Sequence, residues 1–370
     1  MKIKKILQKI FKTFFQFLFH VFYGKIKTNK KINQIEFKKI EIKKITIENK
    51  SYDINNSIYE IKNARIYTDT VENVAIIKDN FILPEISYQQ IKGELKDVTF
   101  NKVIVSGTTR FKKKFNGNIL SLIQGASGNN YFHFLFDIVT KIKLFEEQYS
   151  LKDIDYFYMP GVFDWQKKII SSFDICDEKL INSQKFRHIE ANKIFAVDHP
   201  WYNKGYVQEE INNISEWIVH FLRNKFLKNK KKFNTSDRIF IDRSDSNFNH
   251  CKLINNNEII EFLGKKGFQS YQVSKLDFFE QIYLFNNAKI ILGPHGAAFS
   301  NIIFSEPGLK LIELIPKDHQ SVKCKRISEI MNFNYQRVNL ETKKSDDIKL
   351  KGDMKIEIPL LNEILNSNNL

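Results

Sequence analysis

Cysteine, which forms disulfides and many metal sites, is scarce in the chain. Its 370 residues include three cysteines, and Cys176, Cys251 and Cys324 lie far apart. An odd number of widely spaced cysteines argues against a disulfide framework and fits a reducing cytosol. None belongs to a CxxC pair, so we expect no cysteine metal site.

Glycine and proline are also scarce, at 14 and 7 residues. The sequence has no Walker lysine motif and no GxGxxG motif, which excludes the simplest nucleotide-binding fingerprints. It also lacks zinc-knuckle spacing and an RNP-like run of aromatic residues. The formal net charge of +16 therefore does not indicate nucleic acid, because anionic lipid and phosphorylated small molecules attract a basic protein equally well.

No hydrophobic run near the start approaches the roughly 20 residues that a membrane-spanning helix needs. A small-residue cleavage site, as in a signal peptide, is also missing. Instead, lysines alternate with apolar residues at a helical period, and the apolar set is Ile3, Ile6, Leu7, Ile10, Phe11, Phe14, Phe17, Leu18, Val21 and Phe22. We expect residues 1–34 to be a basic amphipathic helix and linker, peripheral on the cytoplasmic face of the inner membrane. The alternative is an arm that packs on its own globular domain.

The length and the 33 phenylalanines predict more than one well-packed domain. Residues from 35 to about 125 read as strands, and from Asn130 onwards helices and strands alternate in two series. This pattern predicts an α/β protein with two Rossmann-like domains facing a cleft and a β-rich N-terminal portion. The predicted divisions are residues 35–200, residues 201–345 and a C-terminal tail or helix over residues 346–370.

The segment KIILGPHGAAFSNIIF reads as a buried strand, a tight turn and the start of a helix. In an open parallel sheet, such turns lie where ligands bind. Gly293 and Gly296 permit close approach of a ligand, and His295 and the amide of Ala297 supply donors at a helix start. The segment therefore predicts a cradle for a phosphate or diphosphate. The alternative is a core histidine that bonds a backbone carbonyl.

The order and spacing of several motifs resemble glycosyltransferase family 61, once called DUF563. The similar residues are Arg243 and Ser244 after RIFID, Asn255 through Glu258, Gly267-Phe268, Phe279-Glu280-Gln281, His295-Gly296-Ala297 with Asn301, Glu313, and upstream Asn130, His133 and Asp137. The resemblance covers about residues 60 to 320. It implies an inverting glycosyltransferase of the GT-B type that uses a nucleotide sugar, with an acceptor domain over residues 35–200 and a donor domain over residues 201–345.

Asn130, His133 and Asp137 have the spacing that places side chains on one helix face. An inverting transferase needs a base for the acceptor hydroxyl, and a histidine and an acid in contact form a base and its orienting group. We predict His133 and Asp137 as the catalytic pair, with His133 as the base; the opposite assignment remains open. The alternative is that Asn130 caps the helix and Asp137 is a surface acid.

The predicted substrate-binding residues are Asn130, Arg243, Ser244, Asn255, Glu280, His295, Gly296, Ala297, Asn301 and Glu313. Arg243 follows a strand and suits phosphate oxygens, unless it pairs with a neighbouring acid. Glu280 also fits a capping box that begins at Asp277. Glu313 suits ribose hydroxyls or a lysine partner, and Asn301 suits a phosphate or a brace for the turn. The only Asp-x-Asp triplet, at 153–155, starts a strand, so we expect no metal and no cofactor beyond the nucleotide sugar.

Together these features predict a cytoplasmic enzyme that extends a lipid-linked glycan or a surface polysaccharide of the capsular or lipopolysaccharide kind. The predicted partners are a nucleotide sugar, a glycan or lipid-linked acceptor and the inner-membrane surface, without nucleic acid. One rival is a transferase of another group onto glycans, such as a pyruvyl transferase. The other is a non-catalytic module that binds a glycan or a nucleotide.

Overall fold

The computed structural model describes residues 2–28, 37–68, 73–123, 130–202, 205–246, 251–342 and 352–370. Part of the predicted N-terminal linker and the predicted division at residue 345 lie outside these ranges. The chain forms two compact units, Met1–Glu210 and Ile211–Leu370. Among the described residues, no helix combines the length and the apolarity needed to cross a membrane.

The first unit is built around one large mixed sheet. Its strands are β1 (Lys27–Thr28), β2 (Lys38–Ile47), β3 (Lys50–Tyr67), β4 (Asn73–Lys78), β5 (Phe81–Ile82), β6 (Tyr88–Ile91), β7 (Glu94–Leu95), β8 (Lys113–Ser121), β9 (Tyr156–Met159), β10 (Leu180–Asn182), β11 (His188–Val197) and β12 (Gly205–Tyr206). Its helices are α1 (Lys2–Tyr23), α2 (Lys102–Ser106), α3 (Tyr131–His133), α4 (Thr140–Glu146), α5 (Asp164–Ile170) and α6 (Val207–Glu210).

This sheet differs from the parallel sheet that the sequence predicts for an N-terminal Rossmann-like half. Strands β10, β9, β8 and β11 are parallel, but β11 pairs antiparallel with β3, and β3 pairs antiparallel with β2 and β4. The β-rich N-terminal portion therefore extends the parallel strands as a meander. Short connections between β2, β3 and β4 favour this outcome, because adjacent antiparallel strands need no crossover helix.

The second unit holds a five-stranded sheet in which all pairs are parallel. Its strands are β13 (Arg238–Ile241), β14 (Gln269–Tyr271), β15 (Ile290–Pro294), β16 (Lys310–Pro316) and β17 (Asn334–Leu340). Its helices are α7 (Glu216–Phe226), α8 (Asn256–Lys265), α9 (Phe278–Asn287), a 3₁₀ helix (Ala297–Phe304), α10 (Lys323–Met331) and α11 (Ile358–Ser367).

The three central strands β13, β15 and β16 are almost continuously apolar and buried, as expected for the interior of a parallel sheet. Phe240, Leu292 and Ile312 share a core with residues of α8 and α11. The intervening residues Ile239 and Ile291 are equally buried. Leu361 and Leu365 of α11 belong to this core, so the end of the chain packs on the sheet.

The sequence of residues 208–226 predicts one continuous helix, but the structure interrupts it. The structure has α6, a short 3₁₀ turn over Ile211–Asn213, and then α7. Ser215 is extended before α7, and the two preceding asparagines have poor helix propensity. The break coincides with the division between the two units.

Candidate functional site

The strand order of the second unit defines where a ligand would bind. The order is β14-β13-β15-β16-β17, which is the flavodoxin-like order of a doubly wound sheet. In such sheets the binding crevice lies beyond the carboxyl ends of the two strands where the order reverses, here β13 and β15. Arg243 follows β13 and His295 follows β15. Both residues were predicted to bind the nucleotide-sugar donor, and both lie at this switch point.

Two glycines let the backbone approach closely at this edge. A Cβ at Gly293 would lie 2.8 Å from the Cβ of Ile241, on the neighbouring strand. A Cβ at Gly296 would lie 1.4 Å from Nη1 of Arg243. Gly296 is in extended backbone, so its requirement is for space and not for a left-handed conformation. The turn formed by His295, Gly296 and Ala297, called the HGA turn below, therefore leaves room for the guanidinium of Arg243 directly beside it.

His295 is fixed from behind by a buried carboxylate. Its Nδ1 contacts Oε1 of Glu313 on β16, and its backbone N–H donates to the carbonyl of Leu314 at 2.8 Å. Tyr335 donates to the other carboxylate oxygen of Glu313 at 2.6 Å. Burial alone would raise the pKa of Glu313, but His295 and Tyr335 lower it to about 2. Burial lowers the pKa of His295.

A second cation approaches the same turn from α10. Lys323 is 4% exposed, and its Nζ donates to the carbonyl of Gly296 at 2.9 Å. Burial lowers its pKa. Arg243 is also largely desolvated, which lowers its pKa while leaving a guanidinium charged at neutral pH. Arg243, Lys323 and the HGA turn thus concentrate positive charge and N–H donors where an anion would bind.

The loop that follows β13 is held by a buried acid that the sequence analysis did not select. Oδ1 of Asp242 accepts from the N–H of Ser244 at 2.8 Å and from Asn256 at 2.9 Å. Its Oδ2 accepts from Oγ of Ser244 at 2.9 Å and from Gln272 at 2.9 Å. This network fixes the backbone on either side of Arg243. The hydroxyl of Ser244 is part of this network, since it donates to Asp242.

Three predicted binding residues make structural contacts. Glu280 accepts from the N–H of Asp277 at 3.0 Å in a capping box, and its other oxygen pairs with Lys231. Asn301 is buried and donates to Gln281 at 3.0 Å, which joins the 3₁₀ helix to α9. Asn255 donates to the carbonyl of Ile356 at 2.9 Å, which ties the C-terminal segment to the start of α8.

Among the described residues, one group could share a cation: His295, Glu313 and Cys324, whose ligand atoms lie within 4.8 Å of one another. Burial and the charge of Glu313 raise the pKa of the Cys324 thiol well above its usual value. Lys323 is adjacent, and Tyr335 already donates to Glu313. A metal ion at this position would have to displace the proton of the thiol and the hydrogen bond of Tyr335, since metal ligation needs the thiolate.

The first unit carries the second candidate cluster, on the helix after residue 130. Asn130 caps this helix, and its Oδ1 accepts from the N–H of His133 at 3.3 Å. The helix widens to a π-helix over Phe134–Val139, in which all six residues are buried. Such π segments are rare and often occur at functional sites.

His133 and Asp137 are in direct contact. Nδ1 of His133 lies 2.8 Å from Oδ2 of Asp137, whose side chain is 1% exposed. Asp137 is therefore not a surface acid. Because an ionised carboxylate only accepts, this contact places the imidazole proton on Nδ1 and leaves Nε2 as the basic atom. The side chain of His133 is 13% exposed, so its ring is also the more accessible of the two groups.

Two further residues hold Asp137 from the segment after β11. Nε1 of Trp201 donates to Oδ1 of Asp137 at 2.8 Å. Nε2 of His199 lies 3.6 Å from Oδ2, while its Nδ1 accepts from the N–H of Tyr202 at 3.0 Å. Burial alone would raise the pKa of Asp137, but the two histidines lower it below its usual range. Asp137 is an ionised, buried acid with three donors around it.

A segment of the chain that includes parts of both units matches a known family. Residues 131–312 match the Glycosyltransferase 61 family. The match supports the family that the motifs predict, and with it a glycosyltransferase. Among curated proteins, none has significant similarity to the chain.

The segment of the chain that matches the Glycosyltransferase 61 family begins one residue after Asn130 and ends one residue before Glu313. It includes His133 and Asp137 in the first unit and Arg243 and the HGA turn in the second. The family segment therefore includes the His133–Asp137 contact, Arg243 and the HGA turn, whereas Lys323 and Tyr335 lie beyond its end.

Several residues of the two clusters were not predicted from sequence. Lys323 follows a loop without a motif, and Trp201 and His199 belong to the DHPW stretch at the end of a strand. The signal for this stretch is its position, since polar residues after a buried strand are where sites form in α/β sheets. Asp198 and His199 fit that rule.

Lys141, one turn after Asp137, is another residue that the sequence did not predict. It is 2% exposed, and its Nζ lies 5.4 Å from the ring centroid of Tyr88. Burial lowers its pKa to about 7, against the opposing effect of Asp137 and Asp198. Asp198 is itself buried, and burial raises its pKa to about 6. Burial thus disfavours the charged forms of both Lys141 and Asp198, and the charge of each favours the charged form of the other.

Proposed function

We propose that the protein is an inverting glycosyltransferase that moves a sugar from a nucleotide-sugar donor to a hydroxyl of a glycan acceptor. The observation that carries the proposal is the His133–Asp137 contact at 2.8 Å, with Trp201 on the other oxygen of Asp137. This is the arrangement of a histidine base whose tautomer and orientation are set by a buried carboxylate. The family match supports it.

In the proposed reaction, Nε2 of His133 takes the proton of the acceptor hydroxyl as the oxygen attacks the anomeric carbon. The bond from the anomeric carbon to the donor phosphate breaks on the opposite side, so the configuration inverts. The nucleoside diphosphate leaves with the bonding electron pair. Asp137 stabilises the imidazolium that forms, without accepting the proton itself.

The second unit is proposed to bind the donor diphosphate at the switch point of its sheet. Arg243 and Lys323 offset the negative charge that grows on the leaving group. His295 contacts the phosphates through Nε2, with its Nδ1 held by Glu313. Two cationic side chains at the turn can replace the divalent cation that other transferases use, and we therefore propose a metal-independent, GT-B-type enzyme.

The proposed acceptor is a lipid-linked or surface glycan. A partly buried imidazole base suits a sugar hydroxyl, whose proton is not lost at neutral pH without help. The proposed location is the cytoplasmic face of a membrane, where nucleotide sugars and lipid-linked glycans meet.

The test is a thermal-shift screen of the full chain against nucleotide sugars, followed by assay of donor hydrolysis for any that bind. A bound donor raises the melting temperature with concentration, because ligand that binds only the folded state stabilises it. Hydrolysis that His133→Ala removes while the shift persists would support a transferase. A shift with no turnover in the presence of glycan acceptors would favour a non-catalytic module, and no shift with any nucleotide sugar would refute the donor assignment.

A further inference from the structure

Helix α1 presents a continuous apolar stripe to solvent. Eight of its large apolar side chains are between 57% and 66% exposed: Ile6, Leu7, Ile10, Phe11, Phe14, Phe17, Val21 and Phe22. At 3.6 residues per turn these eight positions fall on one side of the helix. An apolar stripe of four to five turns is far larger than the scattered exposed residues of ordinary soluble proteins, so it calls for a partner.

The opposite side of α1 contacts the rest of the first unit at its C-terminal end. Phe19 is 4% exposed, and its ring lies 5.3 Å from that of Phe111. Tyr23 stacks edge-on with His188 at 4.9 Å, and its hydroxyl accepts from the N–H of Lys112 at 3.0 Å. Because these anchors lie across the helix from the stripe, the stripe faces away from the unit that holds the helix. The C-terminal end of α1 thus packs on its own unit, as the alternative from the sequence expects, while the apolar stripe stays exposed.

The globular part of the unit has exposed apolar and basic residues close to α1. Phe111 contacts Phe19 and is itself 76% exposed. Lys113 and Lys114, which follow it, are exposed. The helix contributes lysines at positions 2, 4, 5, 9 and 12 and contains no acidic residue. An apolar stripe is thus combined with a charge of one sign.

This charge selects among the possible occupants. A second copy of α1 would bring an equal set of lysines against the first, and like charges oppose pairing. A bilayer with anionic headgroups offers apolar acyl chains for the stripe and negative charge for the lysines. We propose that the α1 stripe docks on an anionic lipid surface and lies in its plane. The proposal does not depend on the proposed function.

The test uses the full chain and sedimentation with vesicles of phosphatidylcholine mixed with phosphatidylglycerol, compared with phosphatidylcholine alone. We expect binding to the mixed vesicles, weaker binding at high salt because screening reduces the electrostatic part, and little binding to the neutral ones. The double variant Phe14→Glu with Phe17→Glu should lower the partition coefficient by roughly tenfold or more.

The matched control is Ile254→Glu with Leu360→Glu, which changes two exposed apolar residues of the second unit and should leave vesicle binding unchanged. Because all four side chains are exposed, unfolding midpoints should match those of the unmodified chain. Sedimentation velocity without lipid supplies the competing outcome. A dimer that the Phe14/Phe17 variant converts to a monomer, together with vesicle binding that the variant leaves intact, would overturn the proposal in favour of a helix-mediated dimer.

Discussion

The guanidinium group of Arg243 occupies the space beside Gly296, because a Cβ at position 296 would lie 1.4 Å from Nη1. The two residues follow different strands, β13 and β15, at the point where the strand order of the second sheet reverses. The HGA turn thus needs its glycine for an arginine of the neighbouring strand. Close approach of a ligand is a separate requirement.

We predict that Gly296→Ala weakens binding of a nucleoside diphosphate about as strongly as Arg243→Ala. The methyl group displaces the guanidinium, and a charge-assisted hydrogen bond is worth about 1.5–3 kcal/mol, or roughly tenfold to a hundredfold in affinity. Isothermal titration calorimetry measures the effect. The double variant should lose little more than either single one, since both changes remove the same contact.

Gly264→Ala is the control for this comparison. Gly264 lies in α8, and a Cβ there would meet nothing within 4 Å. Diphosphate affinity should not change in this variant. Additive losses in the double variant at 243 and 296 would show that the glycine and the arginine act separately.

The acid of the first unit gives the clearest test of catalysis. Asp137→Asn keeps the shape of the side chain but removes the charge that stabilises an imidazolium at His133, and an amide can present its N–H₂ to Nδ1 and select the wrong tautomer. We expect turnover to fall by about 10²-fold to 10⁴-fold, with donor affinity unchanged. Initial rates and calorimetry on the same preparation separate the two effects.

Asp177→Asn serves as the comparison, because Asp177 is a half-exposed acid of the same unit that pairs with Lys167. It should retain full turnover. Near-normal turnover in Asp137→Asn would show that His133 is not a base oriented by this carboxylate.

The sequence predicts those parts of the fold and site that have a local pattern. Strand β15, the turn with His295 and strand β16 follow from an apolar run, two glycines and a second apolar run. The His133–Asp137 contact follows from helical spacing, although the π-helix between them does not, because a single widened turn leaves no periodic trace.

Other parts depend on tertiary contacts that no spacing encodes. Trp201 reaches Asp137 over 64 residues of chain, and Lys323 reaches the carbonyl of Gly296 over 27. The mixed character of the first sheet depends on β11 pairing with both β3 and β8, and such a choice of neighbours is not visible in alternating hydrophobicity. Glu280 shows that a local pattern can have two interpretations. The residue fits both the family motif and a capping box, and the structure forms the capping box.

The buried lysine of the first unit should make stability depend on pH. The pKa of Lys141 is lowered to about 7 in the folded protein, so the folded state gives up the proton that the unfolded chain keeps until about pH 10.5. Stability therefore rises with pH across this window, and the cost of burying the charge is fully present below it. Lys141→Met removes that cost and should be the more stable variant at pH 6, by on the order of a few kcal/mol.

Urea unfolding of both proteins between pH 6 and pH 10 measures the difference, which should shrink as the pH rises above 7. Lys143→Met is the control, because Lys143 is a partly exposed residue of the same helix that pairs with Glu147. Its difference from the unmodified chain should not follow this trend. A pH-independent gain in Lys141→Met would mean that the effect is packing and that the ammonium is already neutralised by its neighbours.

Glu313, whose carboxylate contacts His295, should make stability depend on pH in the acidic range. The pKa of Glu313 is lowered to about 2 from an unfolded value of 4.5, so its ionised form contributes stability above pH 4.5 that is lost as the pH falls towards 2. A shift of this size corresponds to on the order of 3 kcal/mol. Glu313→Gln should be less stable at pH 7 and should lose less stability on acidification than the unmodified chain.

Unfolding midpoints from pH 7 to pH 2.5 measure this, and Glu341→Gln is the control, since Glu341 is an exposed acid that pairs with Lys317 in the same unit. The same variants also test the site. Without the charge at Glu313, His295 keeps a hydrogen-bond partner but loses the group that fixes its proton on Nδ1, so diphosphate affinity should fall in Glu313→Gln and not in Glu341→Gln. Equal acid sensitivity of Glu313→Gln and the unmodified chain would show that the carboxylate is not ionised behind His295, and the proposed donor arrangement would then have to place the proton elsewhere.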